Sequence, residues 1–316
     1  MLSTSTRSDR RRGRIGVAGV VVGAALVLGA CGTDDAAITV EGDRPEGSGA
    51  PEGASLLFAA SDRTAQVQTG RMRLTVQYSG DEDGRAIDGT ITADGQFDHA
   101  AARSSTEIDM GDFLAQMAES GGEAAPAGMD DLRVVQVVDG PTIYVKVEGT
   151  TLPGVPTGWI SMDAAQAGPG SPLGSFGSPM GGVSGPGGFL ASLEEAGATV
   201  DEISPDRHDG DDVTRYEGTI DPEAAAANAP PERRDEVEQL LSQGGLGEIP
   251  FTAWVDEDGV VRRVDLEMSV SADGADGRVV LSMELYDLGG AVDIEVPLAS
   301  EVTPIGETML GMLPTS

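Results

Sequence analysis

The sequence is poor in the side chains on which most protein chemistry depends. Among 316 residues there is one cysteine, there are two histidines, and Lys146 is the sole lysine; aromatic residues make up 4%. A single cysteine excludes an internal disulfide, so stability must come from a packed core. His99 and His208 have no third partner at ligand spacing, which leaves no metal-binding motif. His208 falls in the polar turn His208-Asp209-Gly210-Asp211 and reads as a solvated loop histidine rather than a ligand or base. Positive charge is just as scarce: 20 Lys and Arg stand against 53 Asp and Glu, a net charge of −33. Such a surface repels nucleic acid and anionic headgroups, so nucleic acid is excluded as a partner.

Catalytic motifs are missing too. There is no nucleophile elbow, and no phosphate-binding glycine loop set between a strand and a helix. Carboxylates are so abundant that no pair stands out as a general acid and base. Asp256-Glu257-Asp258-Gly259 begins like a calcium loop but lacks the terminal glutamate, and reads as a turn. The chain reads as a non-enzyme, and no cofactor is implied.

What is present begins at the N-terminus. Arg7, Arg10, Arg11, Arg12 and Arg14 precede an unbroken apolar and glycine run from Ile15 to Ala30. That run is shorter than the ~20 residues of a spanning helix. A basic segment, a short apolar core and small residues before a cut site form an export signal, expected over 1–30. It ends in Leu28-Gly29-Ala30-Cys31, which resembles the bacterial lipobox. The expectation is that Cys31 carries a diacylglycerol and, after cleavage, a further acyl chain such as palmitate. Two or three chains, each buried CH2 adding ~0.8 kcal/mol, hold a domain at a membrane stably. The expected location is the extracytoplasmic face of the cell membrane. Cleavage would remove five arginines and one aspartate, taking the charge from −33 to −37. Residues 31–53, rich in Gly, Asp, Glu, Pro, Ser and Ala, form an expected flexible acidic linker.

One folded domain is expected over 54–316. Leu56, Leu57, Ala60, Thr64 and Val67 recur at helical spacing. Arg71 to Tyr78 alternates, with Met72, Leu74, Val76 and Tyr78 on one side. Asp81 to Gly84 reads as a turn, Ile87 to Ala93 as a strand, and Ala93-Asp94-Gly95 as a second hairpin signal. Met110, Phe113, Leu114 and Met117 mark a short amphipathic helix from Met110 to Glu119, followed by a mobile segment over 120–128. A hairpin over Arg133 to Val138 and Thr142 to Val147 and a short strand at Trp159 to Met162 come next. Residues 164–188, almost wholly Gly, Pro, Ser and Ala, read either as an insertion or as a flap with a few apolar residues. Then follow a short helix over Phe189 to Ala196, strands at Ala198 to Ile203 and Val213 to Ile220, and a helix capped by Asp221 with Pro222 in its first turn. After Pro230-Pro231 a further helix is expected over Glu232 to Gln243. Phe251 to Val255 and Val261 to Val270 flank the Asp256–Gly259 turn, and strands over Arg278 to Leu288 and Val292 to Val296 complete the run. The fold class is α+β: a large antiparallel sheet with short helices on its apolar face.

The order of these motifs resembles an actinobacterial lipoprotein family, that of the mycobacterial LppX, LprA, LprF and LprG proteins. The matching pieces are the lipobox, the helix from Ser55 to Thr69 leading into Arg71 to Tyr78, and Ile143-Tyr144-Val145-Lys146 followed by Gly158-Trp159-Ile160. Further matches are Val213 to Asp221, Ile249-Pro250-Phe251 with Trp254 to Arg263, and Leu285 to Gly289 leading to Val296-Pro297. The resemblance implies a LolA-like half-barrel wrapped around short helices, with a pocket for acyl chains of envelope lipids or glycolipids. It implies non-catalytic lipid carriage by a monomer, with a protein partner in transfer. The expected cavity lining is Met72, Leu74, Val76, Phe113, Leu114, Met117, Val145, Leu266, Met268 and Met283. Methionine adapts to variable partners, but it also fills ordinary cores. Periodicity leaves both uses open, so a tethered interaction or structural lipoprotein with a solid core is the second reading.

Overall fold

The computed structural model describes residues 52–82, 85–120, 131–149, 157–164, 190, 193–194, 197–228, 247–272 and 275–304. The expected signal, Cys31, nearly all of the linker, most of the 164–188 stretch, residues 121–128 of the expected mobile segment, most of the helix expected over Phe189 to Ala196 and the 232–243 helix lie outside them.

Twelve strands form one sheet. They are β1 (Thr69–Glu82), β2 (Arg85–Asp98), β3 (Arg103–Asp109), β4 (Arg133–Asp139), β5 (Thr142–Glu148), β6 (Trp159–Asp163), β7 (Thr199–His208), β8 (Asp211–Ile220), β9 (Ile249–Asp256), β10 (Val261–Ala272), β11 (Ala275–Tyr286) and β12 (Val302–Pro304). Their order across the sheet is β12-β6-β5-β4-β3-β2-β1-β11-β10-β9-β8-β7. Two meanders, β1 to β6 and β7 to β11, are thus joined where β1 pairs with β11, Leu74 facing Met283 and Val76 facing Leu281. Every pairing is antiparallel except β12 on β6, a short parallel edge. The result is an α+β half-barrel, as the motif order suggested.

Short helices line the apolar face. Helix α1 (Glu52–Ala65) packs on β7 and β10, and α2 (Gly111–Ser120) packs on β2. Helix α3 (Pro222–Asn228) starts at Asp221, whose Oδ1 accepts from Glu223 N at 2.9 Å, the expected N-cap. The buried side of α1 is Ala54, Leu57, Phe58, Ser61 and Thr64. Leu56, expected on that side, is 54% exposed. Leu57, Ala60 and Thr64 are buried as expected, and the buried face extends toward Phe58 rather than Leu56.

Thr64 fastens this helix. Its hydroxyl donates to Ala60 O at 2.7 Å and accepts from Val261 N at 2.9 Å, in a buried site at the start of β10. Nearby, Arg63 Nη1 donates to Asp258 O at 2.8 Å in the β9–β10 turn. In that turn Asp256 Oδ1 accepts from Val260 N at 2.8 Å and Gly259 adopts φ +75°, so Asp256–Gly259 is the hairpin the sequence indicated.

Three expectations fail. Ala93-Asp94-Gly95 is no hairpin but the middle of β2, and the chain turns at His99–Ala102 instead. Gly95 serves packing there: a Cβ would lie 3.1 Å from both Met72 Cε and Ser105 O. Val292 to Val296 joins no strand ladder. The side-chain amide of Gln96 takes the place of a neighbouring strand, donating to Asp293 O at 2.5 Å and accepting from Asp293 N at 3.2 Å. His208 is not a solvated loop residue; its side chain is only 12% exposed.

Replacing Thr64 by Val keeps the shape but leaves the Val261 amide without its acceptor. An unsatisfied buried donor costs about 1–3 kcal/mol. Chemical denaturation of Thr64→Val should show a loss of that size, whereas Thr64→Ser should lose far less.

Candidate functional site

Strand register decides which side chains share the inner face. Ile203, Tyr216, Ala253, Val264, Met283, Leu74, Ala93, Ile108, Val134 and Val147 face one another in turn across β7, β8, β9, β10, β11, β1, β2, β3, β4 and β5. A second row runs Phe251, Leu266, Leu281, Val76 and Ile91. A third holds Met268, Val279 and Tyr78. Alternation along each strand is enough to produce these rows once neighbours are fixed.

The structure brings most of the expected lining residues to this face. Leu74, Phe113, Val145, Leu266, Met268 and Met283 are buried, with Leu266 at 0%, Met283 at 1% and Met268 at 2% exposure. Met72, Val76 and Leu114 are half-buried. Met117 lies in α2, but its side chain is outside the described residues. The set therefore divides. Around β10 and β11 the side chains are sealed, each such Leu or Met contributing about 1.5–3 kcal/mol by its burial. Around β1, β2 and α2 the apolar surface is only partly covered: Val76 and its register partner Ile91 lie against the core together with Met110 and Leu114.

Helix α2 meets the sheet at a place its sequence could not show. Gly89 faces Tyr78 in register, and a Cβ at Gly89 would fall 2.9 Å from Phe113 Cδ2, so the missing side chain lets the Phe113 ring settle on β2. Beside this contact a cleft of ≈490 Å³ opens between Asp88, Gly89 and Thr90 on β2 and Asp112, Ala115 and Gln116 on α2. Its walls combine carboxylates, an amide and small residues. The half-buried apolar group and this cleft lie along the same β2–α2 seam, and together they are the candidate site.

The opposite face of the sheet is polar and held by cross-strand ion pairs. Arg73 pairs with its register partner Asp94 at 2.8 Å, and Arg103 with its partner Asp139 at 2.7 Å. Within β10 itself, rather than across strands, Arg263 makes a bidentate pair with Asp265, 2.8 and 2.9 Å, and this bond raises the arginine's pKa. Exposed pairs of this kind are worth only ~0.2–1 kcal/mol each, so they favour register more than stability. Burial raises the pKa of Tyr216 on the inner face. Among the described residues, no helix is long and apolar enough to cross a membrane.

The architecture is that of a half-barrel in outline: one large sheet, polar outside, with short helices on an apolar inner side. No protein-family profile matches the chain, and no curated protein does. Among solved structures it is similar to LprF from Mycobacterium bovis, at 17% identity and a TM-score of 0.41, covering 79% of this chain and 99% of that one. It is similar also to the Mycobacterium tuberculosis lipoprotein LppX, at 14% identity and a TM-score of 0.40, covering 77% and 97%. A LolA superfamily protein from Nitrosomonas europaea matches at 11% identity and a TM-score of 0.23, covering 75% and 94%. These likenesses concern the path of the chain and say nothing of what it binds.

Gly89→Val places a branched side chain where the Phe113 ring now sits. Overpacking of this kind costs about 1–3 kcal/mol. Hydrogen exchange in Gly111–Ser120 should accelerate in this variant, while exchange in β10 and β11 stays slow.

Proposed function

We propose that this protein is a membrane-anchored, extracytoplasmic lipoprotein that holds acyl chains of envelope lipids or glycolipids against the inner face of its half-barrel. It carries or presents them without catalysis. The observation that supports this reading is the incomplete cover at the β1–β2–α2 seam. Val76, Ile91, Met110 and Leu114 form a half-buried apolar group beside a cleft, packed against the largely apolar core of the sheet face. Apolar surface left partly open next to a packed core is the usual form of a small-molecule site. Met72, Leu74, Val76, Phe113, Leu114, Met117 and Val145 are the residues assigned to its lining. Leu266, Met268 and Met283 lie deeper and would be reached only by a chain that displaces the core.

Cys31 supplies the anchor. The basic segment, the short apolar run and the Leu-Gly-Ala-Cys box support its acylation. The lipid on Cys31 is covalent, whereas the cargo is not, and the two are separable by experiment. A second reading, a tethered interaction lipoprotein with a filled interior, draws on the near-complete burial of Leu266, Met268 and Met283.

Two outcomes are expected. In cells fed labelled palmitate, the wild-type chain should carry the label and partition with membranes. Cys31→Ser should lose both properties, and membrane retention of an unlabelled Cys31→Ser chain would remove the anchor reading. The same full-length Cys31→Ser chain, purified from a lipid-rich host, should show a discrete non-covalent added mass by native mass spectrometry. Val76→Trp or Leu114→Trp, which fills the seam, should reduce that mass adduct at least tenfold with secondary structure unchanged. Recovery of only the bare chain, with no uptake of offered diacyl lipids, would sink the carrier reading in favour of the filled interior.

A further inference from the structure

The β7–β8 hairpin carries a feature on the outer face of the sheet, remote from the apolar seam. Its tip is the two-residue turn Asp209-Gly210, with φ +51° and +95°, between the paired residues His208 and Asp211. Even-numbered residues of β7 beyond its bulge share the outer face with Arg215 and Glu217. The tip folds across the neighbouring strands. Asp206 accepts from Trp254 Nε1 at 3.0 Å, a bond that is the main cause of its lowered pKa, and the His208 ring stacks on Trp254 with centroids 6.4 Å apart. His208 thereby reaches Glu284 on β11, with Nε2 3.1 Å from Oε1, while Asp209 Oδ2 stands 3.9 Å from the same nitrogen.

We propose that His208, Asp209 and Glu284 form a binding site for one divalent transition-metal ion of the zinc class. One donor atom from each lies within 4.8 Å of the other two. Metal–ligand bonds of 2.0–2.2 Å place tetrahedral neighbours roughly 3.3–3.5 Å apart, which these atoms bracket. The Nε2 atom is sealed from solvent and has no hydrogen bond, although Glu284 Oε1 stands 3.1 Å away. This buried nitrogen faces two carboxylates with nothing hydrogen-bonded to it. The donor set, one imidazole and two carboxylates, suits zinc-class ions and not magnesium or calcium, which prefer oxygen alone. Three protein ligands leave a fourth position open, and Asp209, 72% exposed, marks the way in.

Arg263 and Arg73, the register partners of Glu284 on either side, act on it through space, but each guanidinium is bound elsewhere. Arg263 is bound to Asp265 and stacked over Trp254, Arg73 is bound to Asp94, Arg215 to Glu217, and Arg207 to Asp212. Among the described residues, the ion-pair partner of Glu284 is His208. A bound metal would link the β7–β8 tip to β11 across β9 and β10 and, by mass action, raise the melting temperature.

The test uses the full chain, stripped with EDTA and titrated with zinc chloride by equilibrium dialysis, together with Trp254 fluorescence under cobalt(II) in a Trp159→Phe background. One zinc per chain is expected, with cobalt quenching Trp254 and magnesium failing to compete. His208→Ala and Glu284→Gln should each lower affinity at least tenfold, and His99→Ala should leave it unchanged. Should either core variant fail to fold by circular dichroism, Asp209→Asn on the exposed tip gives the same reading. Zinc uptake indifferent to these substitutions, or displaced by magnesium, or absent, would overturn the proposal.

Discussion

An open sheet with one apolar face cannot stand uncovered in water, and the rest of this structure follows from how that face is closed. The buried hydroxyl of Thr64 is central to the closure. By bonding both Ala60 O within α1 and Val261 N at the head of β10, it joins the first helix to a strand nearly two hundred residues later. Arg63 reinforces the join at the β9–β10 turn through Asp258 O. Leu57 and Phe58 of α1 can then bury against the core formed by Val264, Leu266 and Met283. Polar bonds contribute direction here, and apolar burial contributes most of the free energy.

The cover is uneven, and that is where function enters. Over β10 and β11 the closure is complete. Over β2 the covering helix among the described residues is the ten-residue α2, seated by the absence of a side chain at Gly89. The partly open group of Val76, Ile91, Met110 and Leu114 is a consequence of that economy. The same sheet therefore offers a sealed region that provides stability and a looser one suited to an apolar ligand, and the outer face is left free for ionic chemistry.

Much of the fold could be read directly from the sequence. Strict alternation in Arg71 to Tyr78 and in Arg263 to Ser269 assigned inner and outer faces correctly, because a strand's side-chain period of two is a local property. Asp-Gly turns and the Asp221 cap were legible for the same reason. Gly95 misled, since a glycine placed for close packing against Met72 looks the same in sequence as one placed for a turn. Val292 to Val296 has strand composition but meets the Gln96 side chain in place of a strand. His208 misled most: its neighbours in sequence are polar, and its neighbours in space are Trp254 and Glu284.

By itself the sequence determined the export signal pattern ending at Cys31, the acidity, the absence of catalytic motifs, and the face to which most strand residues belong. These depend on composition and on spacings of two to four residues. Only the tertiary structure decided that β1 pairs with β11 and so joins two meanders into one sheet, that α2 rests on Gly89, and that His208 meets Glu284. Each of those outcomes turns on segments far apart in the chain. Which distant strands become neighbours is settled by the packing of the whole apolar face, and no local periodicity carries that information.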